Sequence, residues 1–159
     1  MTIRADASSE HPPSGARRSG SSWAGPGVLL AIAAGGALGA PARYGLAELV
    51  DVAPGSFPWA TFWTNVSGSL ALGFVLVVLV ARFPPTRYLR PFVAVGFLGA
   101  FTTFSTFAVE TDLLVKDGHL AVGIAYATAS VAAGLAAAWA GMVLARMSPL
   151  GPARPRRAA

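Results

Sequence analysis

Thr102-Thr103-Phe104-Ser105-Thr106 places four hydroxyls within five residues of a chain that is otherwise mostly apolar. Gly96 and Gly99 come just before them. Glycines and β-branched threonines both weaken a helix. One reading keeps the helix continuous, with each hydroxyl bonded back to the i−4 carbonyl. The other breaks it. In lipid a break survives only where protein or a water-filled cavity satisfies the freed backbone. Broken mid-membrane helices offer carbonyl oxygens to cations and half-helix N-termini to anions. The density of hydroxyls favours the break.

Other polar groups fall inside apolar stretches, where they are costly and mark function or interhelical bonding. Thr61, Asn65 and Ser69 recur every fourth residue and share one helix face. Thr61 and Ser69 suit bonds between helices. Asn65 carries two donors and an acceptor that all need partners, which points to a pathway or binding role. Phe104 and Phe107 lie three apart and share a face. Such rings ordinarily pack or meet lipid, but their positive edges could also receive a small anion. Tyr126 and Ser130, four apart, extend a polar track. Arg43, with Glu48 beyond it, either snorkels to the interface or draws anions to a pore mouth. Glu110 and Asp112 are vestibule residues or a span's polar end.

These groups need a membrane scaffold. The 159 residues are 54% hydrophobic and only 12% charged, against about 25% charged in soluble domains. Four apolar stretches stand out, at about 27–50, 57–81, 91–115 and 120–144. Each is long enough to cross roughly 30 Å of hydrocarbon with some tilt. The predicted fold class is an all-α membrane protein of four transmembrane helices, the third broken. Short connections make neighbouring helices antiparallel. Gly35 and Gly39 in the first span form a small-xxx-small pair. Residues 1–26 read as a disordered tail rich in Ser, Gly, Pro and Arg, 27–146 as the membrane domain, and 147–159 as a basic tail. Arg17-Arg18 stands too far from the first apolar stretch for a twin-arginine signal.

The absence of cysteine excludes disulfides and thiolate chemistry. The two histidines, His11 and His119, fall in a tail and a loop, so no histidine metal cluster is expected. No nucleophile–base pair suggests an enzyme. The isoelectric point near 10.8 does not imply nucleic acid, because the arginines flank apolar spans. Of twelve basic residues, ten (Arg4, Arg17, Arg18, Arg82, Arg87, Arg90, Arg146, Arg154, Arg156 and Arg157) fall on one side of a four-span topology. Lys116 alone falls on the other. That bias predicts a multi-pass protein of the cell membrane, surrounded by lipid, with both termini cytoplasmic.

Three blocks together resemble the Fluc (CrcB) family of fluoride channels. They are Gly35-Gly36-Ala37-Leu38-Gly39-Ala40 with Arg43-Tyr44, Asn65-Val66-Ser67-Gly68-Ser69 with Gly73-Phe74, and the run from Gly96 to Phe107. The last block is long and specific. The resemblance implies a fluoride-selective channel that exports fluoride from the cytoplasm, built as an antiparallel dimer with two pores. It implies a structural Na⁺ at the dimer centre, not transported, held by the backbone carbonyls of Gly99 and Thr102. It places Asn65, Phe104, Phe107, Ser105, Thr106, Tyr126 and Ser130 along the fluoride pathway, and Arg43 and Glu110 in the vestibules.

Two features depart from the family pattern. Beyond Ser130, where hydroxyls continue in the family, this chain has Ala132, Gly134 and Ala136. Water or the partner then supplies the donors, or one pore is defective. The strong arginine bias also argues against insertion both ways, so the partner is expected to be an oppositely inserted homologue. The competing reading is a four-helix proton-coupled multidrug or metabolite transporter. Such a protein needs an ionisable residue deep in a span, and Glu110 is the late-span candidate besides Arg43. A non-transporting assembly partner is the third class.

Overall fold

A computed structural model describes residues 25–82 and 87–150. The expected tails, apart from their innermost few residues, lie outside them. Helix α1 runs Pro26–Glu48, α2 Trp59–Arg82, α4 Phe104–Lys116 and α5 Leu120–Met147. Between α2 and α4 a π-helical segment, Pro91–Phe97, continues into a single α-turn, α3, at Leu98–Phe101. No strand occurs among the described residues. Four helical spans are long and apolar enough to cross a membrane: Pro26–Glu48, Trp59–Ala81, Pro91–Lys116 and Leu120–Met147.

The third span is where the structure sharpens the sequence reading. The polar run does not all unwind. Only Thr102 (φ −78°, ψ 159°) and Thr103 (φ −145°, ψ 123°) are extended, and Phe104 already begins the next helix. The reason is local. The Thr103 hydroxyl accepts the Thr106 N–H at 3.1 Å, which makes it the N-cap of α4. The half before the break is not a plain α-helix either, since Pro91–Phe97 carries the wider π turn.

The spans pair in parallel, first with third and second with fourth. Glycine sets both pairings. At Gly35 an added Cβ would overlap the Phe92 carbonyl oxygen, and at Gly39 that of Phe97. On the facing segment, a Cβ at Gly96 would meet the Ile32 carbonyl oxygen. In the second pair, Gly73 lies on the Ala138 carbonyl and Gly141 on the Leu70 carbonyl. Lipid supplies no hydrophobic drive between helices, so such backbone contact is what holds them. The antiparallel α2 then crosses the broken span, with Gly68 making room for the Thr102 methyl. The interior is thin: Val28, Leu79, Leu98, Leu114, Tyr126, Ala137 and Ala145 are its buried apolar residues.

Candidate functional site at the helix break

Asn65 makes the break possible. Its Nδ2 donates to the Thr103 carbonyl at 2.9 Å, and its Oδ1 accepts the Thr103 N–H at 2.9 Å. One side chain thus satisfies both backbone groups of a residue that is 8% exposed. The pathway role expected of Asn65 therefore takes a specific form: its carboxamide is engaged by backbone, while the residue still borders the groove described below.

This arrangement has a consequence for the carbonyls. In an unbroken helix the Thr103 N–H would go to the Gly99 carbonyl, and the Thr106 N–H to that of Thr102. Here the first goes to Asn65 and the second to the Thr103 hydroxyl. The last regular bond of α3 is Thr102 N–H to the Leu98 carbonyl, at 3.0 Å. The carbonyls of Gly99 and Thr102 are thereby left without their helical donors. Gly99 is also exposed, with no atom closer than 3.9 Å to where a Cβ would stand.

Beside the break lies an open groove of about 410 Å³ between α2, α4 and α5. Its polar members are Asn65, Ser69, Thr102, Thr103 and Ser130, and Phe104 and Phe107 form its aromatic wall. Leu72, Val131 and Leu135 complete it with apolar surface. Two of the four hydroxyls here are already committed. Thr102 bonds back to the Leu98 carbonyl at 2.9 Å, and Thr103 donates to Thr106 Oγ1 at 3.0 Å. Ser130 is not committed in this way. Its Oγ is buried without a partner. A buried, unpartnered hydroxyl is costly unless a ligand or water meets it.

The expected residues do not all meet at this groove. Tyr126 lies one ring further on. Phe104 and Phe107 have centroids 5.8 Å apart, Phe107 and Tyr126 5.3 Å. Tyr126 is fully buried and donates to Glu110 Oε2 at 2.7 Å. Thr61 donates to the other carboxylate oxygen at 2.8 Å. Glu110 is thus held by two hydroxyls from two helices, where the sequence offered only a vestibule residue or a polar end. Ser105 and Thr106 are exposed and serve the α4 cap, Ser105 Oγ lying 3.3 Å from the Thr103 hydroxyl. Arg43 sits on α1, away from the groove lining. The sequence reading did not assign Thr103 a capping role, although a threonine directly before an apolar residue is a recognisable helix start.

Glu110 should depend on its two donors. Tyr126→Phe keeps the ring contacts and removes one of the two hydrogen bonds to Glu110, which should lower stability by about 0.5–1.5 kcal/mol. Thermal melts of Tyr126→Phe and Thr61→Val, singly and together, measure this. Strictly additive losses would mean that the two hydroxyls do not act through one carboxylate.

The geometry is that of a largely apolar groove carrying a few polar groups beside a stabilised helix break, and known proteins share its sequence. The family described as "CrcB-like protein, Camphor Resistance (CrcB)" matches residues 30–142. That range holds the break, Asn65 and both glycine pairings. "Fluoride-specific ion channel FluC 3" of Streptomyces avermitilis is 51% identical over 122 residues, 77% of this chain and 60% of that protein. This chain therefore spans less than two thirds of that relative. "Fluoride-specific ion channel FluC 2" of Nocardia farcinica is 42% identical over 121 residues, 76% of this chain and 86% of the relative. With most of its length matched, and with the break and its carboxamide clamp inside the match, this chain is a multi-pass membrane protein that belongs to the CrcB family.

Proposed function

We propose that this chain forms a fluoride-selective channel that lets fluoride leave the cytoplasm passively. Hydrogen fluoride enters acid-exposed cells as a neutral molecule and dissociates inside, so an exit for the anion is protective. The observation that carries the reading is the groove, where Ser130, whose buried Oγ has no partner, lines the same space as Phe104 and Phe107, in a chain whose relatives are named as fluoride-specific channels. Fluoride is small and tightly hydrated. A pore must replace its water with donors, and hydroxyls and positive ring edges provide them without adding a fixed charge. The start of α4, beside the groove, adds the positive end of a helix dipole.

The Gly99 and Thr102 carbonyls, released by the break, are a donor set suited to a hard cation. They would hold a structural Na⁺ shared with the same pair from a second subunit across an antiparallel dimer. Such an ion would neutralise four carbonyl dipoles at the dimer axis and is not itself conducted. The thin interior of one chain and the exposure of Gly99 suit such a partner. The arginine bias supports an orientation with both termini in the cytoplasm. It favours pairing with an oppositely inserted homologue over pairing with an identical chain.

The test is fluoride efflux from liposomes, read with a fluoride-selective electrode. Efflux is expected from this chain with an oppositely inserted homologue, with no matching chloride efflux. Robust flux from this chain alone would sink the heterodimer and keep the channel. No fluoride flux in either preparation would sink the channel.

A further inference from the structure

We propose that Ser69 on α2 supplies the fluoride-facing hydroxyl that α5 lacks beyond Ser130. This rests on the channel reading above. Tyr126, Ser130, Gly134 and Ala138 recur every fourth residue and form one stripe along α5. The last three border the groove, but only Ser130 brings a hydroxyl. At Gly134 the track stops for want of a side chain.

The space that side chain would occupy leads directly to another hydroxyl. A Cβ built on Gly134 has one neighbour within 4 Å, the Ser69 Oγ, at 3.6 Å. Ser69 also borders the groove. The donor missing from α5 is therefore present, brought from the facing helix. Hydroxyls elsewhere on the spans support this. Thr64, Ser67, Thr102, Thr111 and Thr128 all bond back to a carbonyl of their own helix, which ties up the proton. Ser130 does not, since its Oγ has no partner. Asn65, one turn before Ser69, has its carboxamide engaged by Thr103. Ser69 is thus left, with Ser130, to bracket the groove from two helices. An anion leaving Ser130 meets its next hydroxyl across the gap, on α2.

Moving the hydroxyl back tests this. The readout is fluoride efflux from the same liposomes, in the preparation where the unaltered chain conducts. Ser69→Ala should lower efflux about tenfold or more, the loss expected for one hydrogen bond to an ion. Ser69→Thr keeps the hydroxyl and should retain flux. Ser69→Ala with Gly134→Ser places a hydroxyl on α5 in the same gap and should recover most of what was lost. The melting temperature of each variant is read alongside. Undiminished flux in Ser69→Ala overturns the proposal. So does equal loss in Ser69→Thr, which would assign the effect to packing. Loss in Ser69→Ala that tracks a fall in melting temperature, without rescue by Gly134→Ser, assigns Ser69 a structural role and also overturns it. Silence of the unaltered chain, alone and with its homologue, removes the channel reading itself.

Discussion

Asn65→Leu should abolish the proposed fluoride flux and destabilise the protein, the largest effect expected of any single polar residue here. Leucine keeps the volume, so no cavity confuses the result. It removes both bonds to Thr103, whose N–H and C=O are each held at 2.9 Å. Interhelical hydrogen bonds in membranes are often worth only about 0.6 kcal/mol, because the unfolded chain finds other partners. The present case differs. The loss orphans a buried donor and a buried acceptor, each costing about 1–3 kcal/mol. The chain has one escape. Thr103 could return its N–H to Gly99 and rebuild a continuous helix. That would save stability but withdraw the Gly99 carbonyl and carry the Phe104 and Phe107 rings out of position. Amide hydrogen exchange at Thr103, read beside flux and melting temperature, separates the outcomes. An Asn65→Leu protein that still conducts, with Thr103 protected as before, would show that another group holds the break.

Gly35→Ala and Gly141→Ala should each prevent stable assembly, whereas Gly99→Ala should leave the single-chain fold intact. All three add the same methyl group. At Gly35 it would overlap the Phe92 carbonyl oxygen and at Gly141 that of Leu70. Backbone atoms cannot swing aside as a side-chain tip can, so the helices must separate, at about 1–3 kcal/mol or more each. At Gly99 the nearest atom, the Ala94 carbonyl oxygen, is 3.9 Å away. Relative to glycine, alanine in a helix gains up to about 1 kcal/mol. Melting temperature and the recovery of folded protein in detergent measure the contrast. If Gly99→Ala leaves the chain folded but weakens the proposed dimer, its methyl reports the subunit interface. Equal tolerance at Gly35 and Gly99 would mean that backbone contact does not set the first pairing.

These two cases differ in how far the sequence foretold them. The Gly35–Gly39 pair was readable as a helix contact from its spacing alone, because small-xxx-small has one main use in lipid. Its partner was not, since nothing local says that Gly35 meets Phe92 and Gly96 on the third span. Thr61, Asn65 and Ser69 were readable as one face. Their spacing could not reveal that they would do three different things: hold Glu110, hold Thr103 and face Gly134.

The interrupted third span follows the same division. By itself the sequence determined that a membrane helix would fail near Thr102, because glycines, β-branched residues and clustered hydroxyls act within a few residues of themselves. It likewise determined four spans, since apolar length is a local property measured against bilayer thickness. Only the tertiary structure decided that the failure is confined to Thr102 and Thr103. That limit depends on the Asn65 carboxamide, 38 residues earlier in the chain. The donor to a freed backbone group must come from whatever packs against it, and packing partners are chosen by the whole fold.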